Sequence, residues 1–182
     1  MTNLTRKLLK SNQTMDDPNF SNTVILIAEH NENGALGFII NKPLKYTIND
    51  LVPDVEANFK IYNGGPVEQD NLYFIHNIPD LITDSVEISN GIFWGGNFDL
   101  TKELINNGKI KKDNIRFFLG YTGWSPQQLE QEMKSNSWIL TENLYKNKII
   151  GKSSTDFWKE KILEIGGDYV IWSNAPENPI LN

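Results

Sequence analysis

The stretch Gly-Tyr-Thr-Gly-Trp-Ser-Pro-Gln-Gln-Leu-Glu-Gln-Glu, residues 120–132, decides the fold more than any other part of the chain. It joins a β-branched and aromatic run at Ile115–Leu119, typical of a strand, to the start of a helix. Ser125-Pro126 predicts a helix N-cap with proline as the first helical residue. Trp124 and Leu129 occupy the two positions of a hydrophobic staple. The stretch therefore predicts a strand, a turn and a helix in direct succession.

Two hairpins are predicted from apolar runs that flank tight-turn pairs. Val24–Ala28 and Leu36–Ile40 lie on either side of Asn33-Gly34, a pair that readily takes positive φ angles. Residues 86–94 contain the stronger signal, because Asn90-Gly91 separates two short β-branched or aromatic runs. The first hairpin would present an acidic, histidine-bearing loop.

Further elements complete an α+β pattern, because hairpins occur together with strand-to-helix crossovers. Helices are expected from a capping box at Thr47 and Asp50, from Phe98 to a C-cap glycine at Gly108, and from Ser153 or Ser154 to Gly166. Other strands are predicted at Phe59–Tyr62, Leu72–His76, Trp138–Leu140, Ile149–Ile150 and Tyr169–Trp172.

Composition limits the classes of function. The 182 residues suit one domain, residues 1–182, and the absence of cysteine excludes disulfides, thiolate nucleophiles and cysteine-based metal sites. A net charge of −6 argues against non-specific nucleic-acid binding, which relies on Lys and Arg. Of the basic clusters at Arg6–Lys10 and Lys109–Arg116, the second is interpreted as a solvated charge run at a turn.

The location of the protein is predicted from the lengths of its apolar segments. The first ten residues contain no apolar stretch of the length a signal peptide needs. No part of the sequence approaches the roughly 20 apolar residues of a membrane span. We therefore expect a cytoplasmic protein that does not use a membrane.

Several separated motifs, taken in order, are similar to those of one family. They are Met15 with Asp17-Pro18-Asn19-Phe20, Glu29-His30-Asn31, Gly34-Ala35-Leu36-Gly37, Asn41, Asn63-Gly64-Gly65-Pro66-Val67, Gly120-Tyr121, Gly123-Trp124, Pro126 and Gln128-Leu129-Glu130. With these motifs the chain resembles the YqgE/AlgH family of bacterial proteins. The resemblance covers about residues 7–172, and residues 173–182 form a C-terminal tail outside it.

The resemblance implies a compact α+β domain in which mixed, branched sheets with hairpins fold into a pseudo-barrel flanked by helices. It implies a biochemical activity that is uncharacterised, with a label of transcriptional regulator inherited from a member linked to alginate production. It supplies no catalytic residues, no DNA-reading residues and no cofactor. A redox role suggested for cysteine-bearing relatives does not carry over, because this chain has no cysteine.

The loop motifs predict a groove that binds an unknown small ligand or a protein partner. Tyr121 and Glu130 attract most interest, because the local cap and staple do not require them. No metal site is predicted, since His30 and His76 lack the spacing of metal ligands. The candidate ligand-binding residues are Glu29, His30, Asn31, Asn41, Gly64, Gly65, Tyr121, Trp124 and Glu130.

Three hypotheses about function follow. The first is a non-enzymatic cytoplasmic binding or regulatory domain. The second is a hydrolase that uses His30 with a nearby carboxylate; Glu29 is a poor partner because adjacent strand residues point to opposite faces. The third is sequence-specific DNA regulation. A purely structural role for His30, as a hydrogen-bonded residue at the hairpin end, is the alternative to the second.

Overall fold

The computed structural model describes residues 3–12, 17–152 and 157, and within them it contains ten strands, three α-helices and one 3₁₀ helix. The α+β class predicted from the sequence is confirmed. The strands are β1 (Leu8–Ser11), β2 (Val24–Asn31), β3 (Gly34–Ile39), β4 (Pro43–Thr47), β5 (Lys60–Asn63), β6 (Val67–His76), β7 (Val86–Ser89), β8 (Ile92–Trp94), β9 (Ile115–Trp124) and β10 (Trp138–Thr141). The helices are α1 (Ile48–Leu51), α2 (Phe98–Asn106), α3 (Gln128–Lys134) and the 3₁₀ helix Lys146–Ile150.

Strand β9 is the branch point of the sheet. Its first half pairs in parallel with β5 and antiparallel with β6, and its second half pairs antiparallel with β3. The main path of strands is β10-β1-β2-β3-β9-β6-β8-β7, and β4 joins through β5. The pairing is thus mixed and branched. The path has two free ends, so the described strands do not close into a hydrogen-bonded barrel.

The core lies on both faces of this branched sheet. One cluster surrounds Phe38 and Phe118, whose stacked rings have centroids 4.9 Å apart. A second cluster packs α1 and α2 against β5, β6 and β9, around Phe117. A third contains Trp124 and Leu129, the two residues predicted to form the staple. The first half of β9 thus contributes Phe118 and Phe117 to the first two clusters, and its end contributes Trp124 to the third. Burial of these apolar side chains stabilises both halves of the strand.

Both predicted hairpins are present, with a shift in one loop. Strands β2 and β3 pair from Asn31 and Gly34 inward, so the two loop residues are Glu32 and Asn33, one residue earlier than predicted. In the second hairpin, Asn90-Gly91 forms the loop as predicted, with φ angles of 53° and 76°. Side-chain pairing across β2 and β3 sets the first loop, rather than the preference of Asn-Gly alone.

Helix α3 begins later than the sequence predicts. Gln127 has a φ of 65°, which interrupts helical geometry, so the first helical residue is Gln128 and not Pro126. The side chain of Gln128 accepts the backbone N–H of Ser125 at 2.9 Å, which is one half of the predicted capping box. The predicted capping box of α1 is confirmed in one half: the Asp50 carboxylate accepts the N–H of Thr47 at 2.7 Å.

Two predictions about structure and charge need correction, and two strands, β1 and β4, have no counterpart among those predicted from the sequence. Ile149 and Ile150 lie in a 3₁₀ helix rather than a strand; both are buried, and a short apolar run does not distinguish the two structures. Arg116 is 3% exposed, so the interpretation of its cluster as solvated is wrong for that residue. The predicted helix from Ser153 and strand Tyr169–Trp172 lie outside the described residues, apart from Phe157.

Candidate functional site

An open groove of about 490 Å³ lies where the β2–β3 hairpin meets the second half of β9. We call it the hairpin groove. Four of the nine candidate residues, Glu29, Asn31, Tyr121 and Trp124, line it together. The lining consists of Glu29, Asn31, residues 33–36, Val67, Tyr121 and residues 123–126.

Glycines at the branch point place Tyr121 beside the groove. Gly120 has a φ of +69°, and a Cβ atom there would lie 2.6 Å from the Gly65 carbonyl oxygen. A Cβ on Gly65 would lie 2.3 Å from the Tyr121 carbonyl carbon, and one on Gly64 would lie 2.1 Å from the Gly120 oxygen. The chain segments cross too closely for side chains at these positions. Gly64 and Gly65 therefore support the groove from behind, and neither contributes to its lining.

The polar end of the hairpin groove is built by β2. Glu29 is exposed although its neighbours Ala28 and His30 are buried, as expected for adjacent residues on opposite faces. The Asn31 side-chain amide donates to Glu29 Oε1, while Asn31 Oδ1 accepts the N–H of Asn33 at 2.8 Å. These bonds hold a carboxylate and a carboxamide side by side at the end of the hairpin.

The aromatic wall of the groove combines a half-buried Tyr121 with a buried Trp124, and neighbouring side chains support both. The Tyr121 ring makes an edge contact with Tyr73, with centroids 5.7 Å apart. Trp124 donates its indole N–H to Glu132 Oε2 at 2.9 Å, and Trp138 donates to the same oxygen at 2.7 Å. Glu132 therefore fixes the orientation of Trp124. No sequence signal identifies Glu132, because its two partners belong to β9 and β10 and only the tertiary fold brings them together.

His30 and Glu130 pair with each other outside the groove lining. His30 Nε2 lies 3.0 Å from Glu130 Oε1, and the His30 side chain is only 2% exposed. His30 Nδ1 accepts the backbone N–H of Leu4 at 3.2 Å. Because Nδ1 is an acceptor, the neutral ring carries its proton on Nε2 and donates it to Glu130. Both ring nitrogens are thus engaged in joining the N-terminal segment, β2 and α3.

Asn41 is also separate from the groove. Its Oδ1 accepts the N–H of Val24 at 2.8 Å, and its Nδ2 donates to the Asn22 carbonyl at 2.9 Å. These bonds fix the start of β2 against the end of β3. The structure thus divides the candidates into groove residues, glycines behind the groove and polar residues that tie segments together.

His76, the second histidine, is fully buried on β6 beside the ring of Phe93. Its Nδ1 accepts the N–H of Ile78 at 3.3 Å. Burial lowers the pKa of His76, and the backbone of Gly95 opposes this effect by a smaller amount. The residue is therefore a neutral part of the core and not a groove residue.

We expect His76 to make the protein less stable as the pH falls below neutral. In the unfolded chain it binds a proton near its ordinary pKa of about 6.5, whereas in the folded chain it does so at lower pH. The unfolded state then holds more protons in that window, so the free energy of unfolding decreases as the pH falls through it. Urea midpoints measured at about pH 7.5 and about pH 5.5 should decrease less for His76→Phe than for the wild type. Equal decreases would contradict the expected coupling.

Two further features of the site concern metals and membranes. Within residues 3–12, 17–152 and 157, no group of three or more histidine or carboxylate side chains is arranged to hold a metal ion. No helix in that part of the chain has the length and apolar character needed to cross a bilayer.

The fold and the groove define a class: α+β proteins in which a branched sheet, centred on one strand that pairs with three others, supports an open groove beside a hairpin. The chain belongs to the AlgH-like family, whose model matches residues 8–170. This agrees with the resemblance seen in the sequence motifs.

Curated relatives and solved structures agree with this membership. A UPF0301 protein of Chlorobium limicola is 40% identical over 177 residues, which cover 97% of this chain and 94% of the relative. A UPF0301 protein of Cytophaga hutchinsonii is 38% identical over 179 residues, 97% of each chain. The solution structure of AlgH from Pseudomonas aeruginosa is similar, with a TM-score of 0.75, 25% identity and coverage of 98% of this chain and 97% of that one.

A crystal structure of protein DIP2367 from Corynebacterium diphtheriae shares the fold. Its TM-score is 0.75 at 18% identity, covering 96% of this chain and 94% of that chain. The names of these relatives state no biochemical activity.

Proposed function

We propose that this protein is a non-enzymatic, cytoplasmic binding protein with a regulatory role, and that the hairpin groove takes a small ligand or peptide segment with a cationic group. The observation that supports this proposal is the meeting of Glu29, Asn31, Tyr121 and Trp124 in one groove. Glu29 and Asn31 lie about ninety positions before Tyr121 and Trp124 in the sequence. The pairing of β3 with β9 brings the two pairs together.

The charge and shape of the groove support a cationic ligand. Glu29 is the single charged side chain in the described lining, and it is exposed. Tyr121 presents an aromatic ring in the same groove, and an aromatic face attracts a cation within about 6 Å. Leu36 and Val67 add apolar surface. The volume of about 490 Å³ falls within the range of small-molecule sites.

A regulatory role would act through this ligand or through a protein partner. The label of transcriptional regulator, carried by the family resemblance, is proposed here as an indirect role. The lining of the hairpin groove contains no basic residue that could contact a phosphate group, and the net charge of the chain is −6. Direct DNA binding is therefore the less supported form of regulation.

The hydrolase alternative has less support than ligand binding. His30 does lie next to a carboxylate, that of Glu130. A general base must reach the proton it removes, directly or through one water molecule. The His30 side chain is 2% exposed, and Leu4 occupies its second nitrogen. The pair is better suited to tying structural segments together.

A matched pair of ligands tests the proposal. Tyramine carries an ammonium group, and tyrosol has a hydroxyl group in its place, so their difference in affinity measures the contribution of Glu29. We expect saturable binding of tyramine by calorimetry and weaker binding of tyrosol. Native mass spectrometry of freshly purified protein provides an independent search for a bound cellular ligand.

Variants show whether the binding occurs in the hairpin groove. Glu29→Gln should weaken tyramine binding by about fivefold, because it removes one exposed charge pair. Tyr121→Ala should weaken the binding of both tyramine and tyrosol. Tyr46→Ala, an exposed aromatic residue outside the lining, is the control and should change neither affinity. Equal affinity for tyramine and tyrosol, or no effect of Glu29→Gln, would contradict the proposed preference for cations.

A further inference from the structure

A second pocket, of about 350 Å³, has the opposite electrostatic character to the hairpin groove. We call it the basic pocket. It is lined by four basic residues, Lys60, Lys112, Arg116 and Lys152, and by one carboxylate, that of Asp113. In a chain with a net charge of −6, this concentration of positive charge is unusual. None of its charged residues lines the hairpin groove.

Arg116 is a buried cation beside this pocket. The residue is 3% exposed, and its guanidinium donates to the carbonyl oxygens of Ile40, Ile150 and Lys152, with an Nε–oxygen distance of 2.9 Å for Ile150. It also lies 4.4 Å from the centre of the Tyr62 ring. Each guanidinium nitrogen thus donates one hydrogen bond, which uses three of the five N–H groups, and these contacts fix the position of the group.

Within the described part of the chain, no carboxylate forms an ion pair with Arg116. Carbonyl oxygens and an aromatic face are dipolar partners that carry no net charge. Burial lowers the pKa of Arg116, which expresses the cost of desolvating a positive group. An anion bound in the pocket would therefore be attracted by a positive charge that water screens poorly.

The rim of the pocket adds further positive groups. Lys60 on β5 and Lys112 in the turn before β9 are both exposed. Lys152 Nζ lies 4.3 Å from the centre of the Tyr145 ring. Asp113 is the opposing charge, and it lies against Gly151, where a Cβ atom would come within 2.7 Å of Asp113 Oδ1.

The remaining lining indicates which kind of anion fits. Phe59, Tyr62 and Ile150 contribute aromatic and aliphatic surface. Lysines bind phosphate as point charges, whereas the apolar lining would contact an organic group attached to that phosphate. We infer that the basic pocket is a binding site for a small organic phosphate, with Lys60, Lys112 and the buried Arg116 facing the phosphate group. This site is separate from the hairpin groove and does not depend on its proposed function.

Titration of the full-length protein with phenyl phosphate tests the inference. We expect saturable chemical-shift changes of the amide groups of Lys112 and Gly151 in ¹⁵N-resolved spectra. Inorganic phosphate should cause the same changes at higher concentrations, because it lacks the apolar group. Shift changes confined to other parts of the protein would overturn the inference.

Charge variants give the test a direction. The double variant Lys60→Gln/Lys112→Gln should weaken phenyl phosphate binding by at least about fivefold, and Asp113→Asn should strengthen it. Lys109→Gln removes a lysine charge from an exposed position outside the pocket, and it should change the affinity for phenyl phosphate little. Since all these side chains are exposed, the variants should fold normally. Equal affinities of the double variant and Lys109→Gln would show that only non-specific attraction operates.

Discussion

Replacing Gly120 with alanine is expected to destabilise the protein by about 3 kcal/mol or more. The backbone of Gly120 has a φ of +69°, which alone costs an alanine on the order of 1 kcal/mol. The new Cβ would also lie 2.6 Å from the Gly65 oxygen and 2.7 Å from the Val67 oxygen. Both contacts are with backbone atoms at the sheet branch, so relieving them requires two chain segments to move.

Gly108 provides the control for this prediction. Its φ of +66° is nearly the same, but a Cβ atom there would meet nothing within 4 Å. Gly108→Ala should therefore cost only about 1 kcal/mol, from the backbone conformation. Urea unfolding of both variants measures the difference. Similar losses of stability would mean that the branch point tolerates side chains, which would contradict the crowding that we describe.

Replacing Phe38 with alanine is expected to have the other large effect, a loss of about 4 kcal/mol. Phe38 is fully buried at the centre of the cluster that joins β3 to β6, β8 and β9. Its ring contacts those of Phe118, Tyr73 and Trp94, at centroid distances of 4.9, 6.0 and 6.2 Å. The substitution removes these contacts and leaves a cavity, which the surrounding strands cannot fill without breaking their pairing.

Thermal unfolding measures this effect, and the melting temperature should fall by about 10 °C for a chain of this length. Tyr46→Ala serves as the control, because Tyr46 is also an aromatic residue on a strand but is 53% exposed. Its substitution should change the free energy of unfolding by about 0.5 kcal/mol or less. A loss for Phe38→Ala no larger than that for Tyr46→Ala would show that this cluster does not stabilise the fold.

Local signals predicted much of the fold correctly. Asn90-Gly91 forms its hairpin because both residues tolerate positive φ angles, a property of the residues themselves. Gly108 follows α2 with a φ of +66°, as a C-cap glycine does. The strand at Ile115–Leu119 is present because its apolar residues suit a position between two neighbouring strands. In each case the physical cause acts within a few residues.

The predictions that were wrong or missing depend on contacts between distant residues. Strand β1 exists because it pairs with both β2 and β10, neither of which its own sequence identifies. The later start of α3 is the exception, because it follows from the left-handed backbone of Gln127, a conformation within the segment itself. Burial of Arg116 requires carbonyl oxygens from two distant segments, at Ile40 and at Ile150 and Lys152, so the basic residues near it in the sequence do not predict its burial.

The candidate site shows the same division. Motif order led to nine residues, but only tertiary structure distinguishes Tyr121 in the groove from His30, whose partner Glu130 lies 100 positions away. The sequence by itself determined the kinds of element, the main turns and the family, because backbone preferences and apolar periodicity are local properties. The tertiary structure alone decided which polar groups meet, because that depends on how strand β9 branches at Gly120.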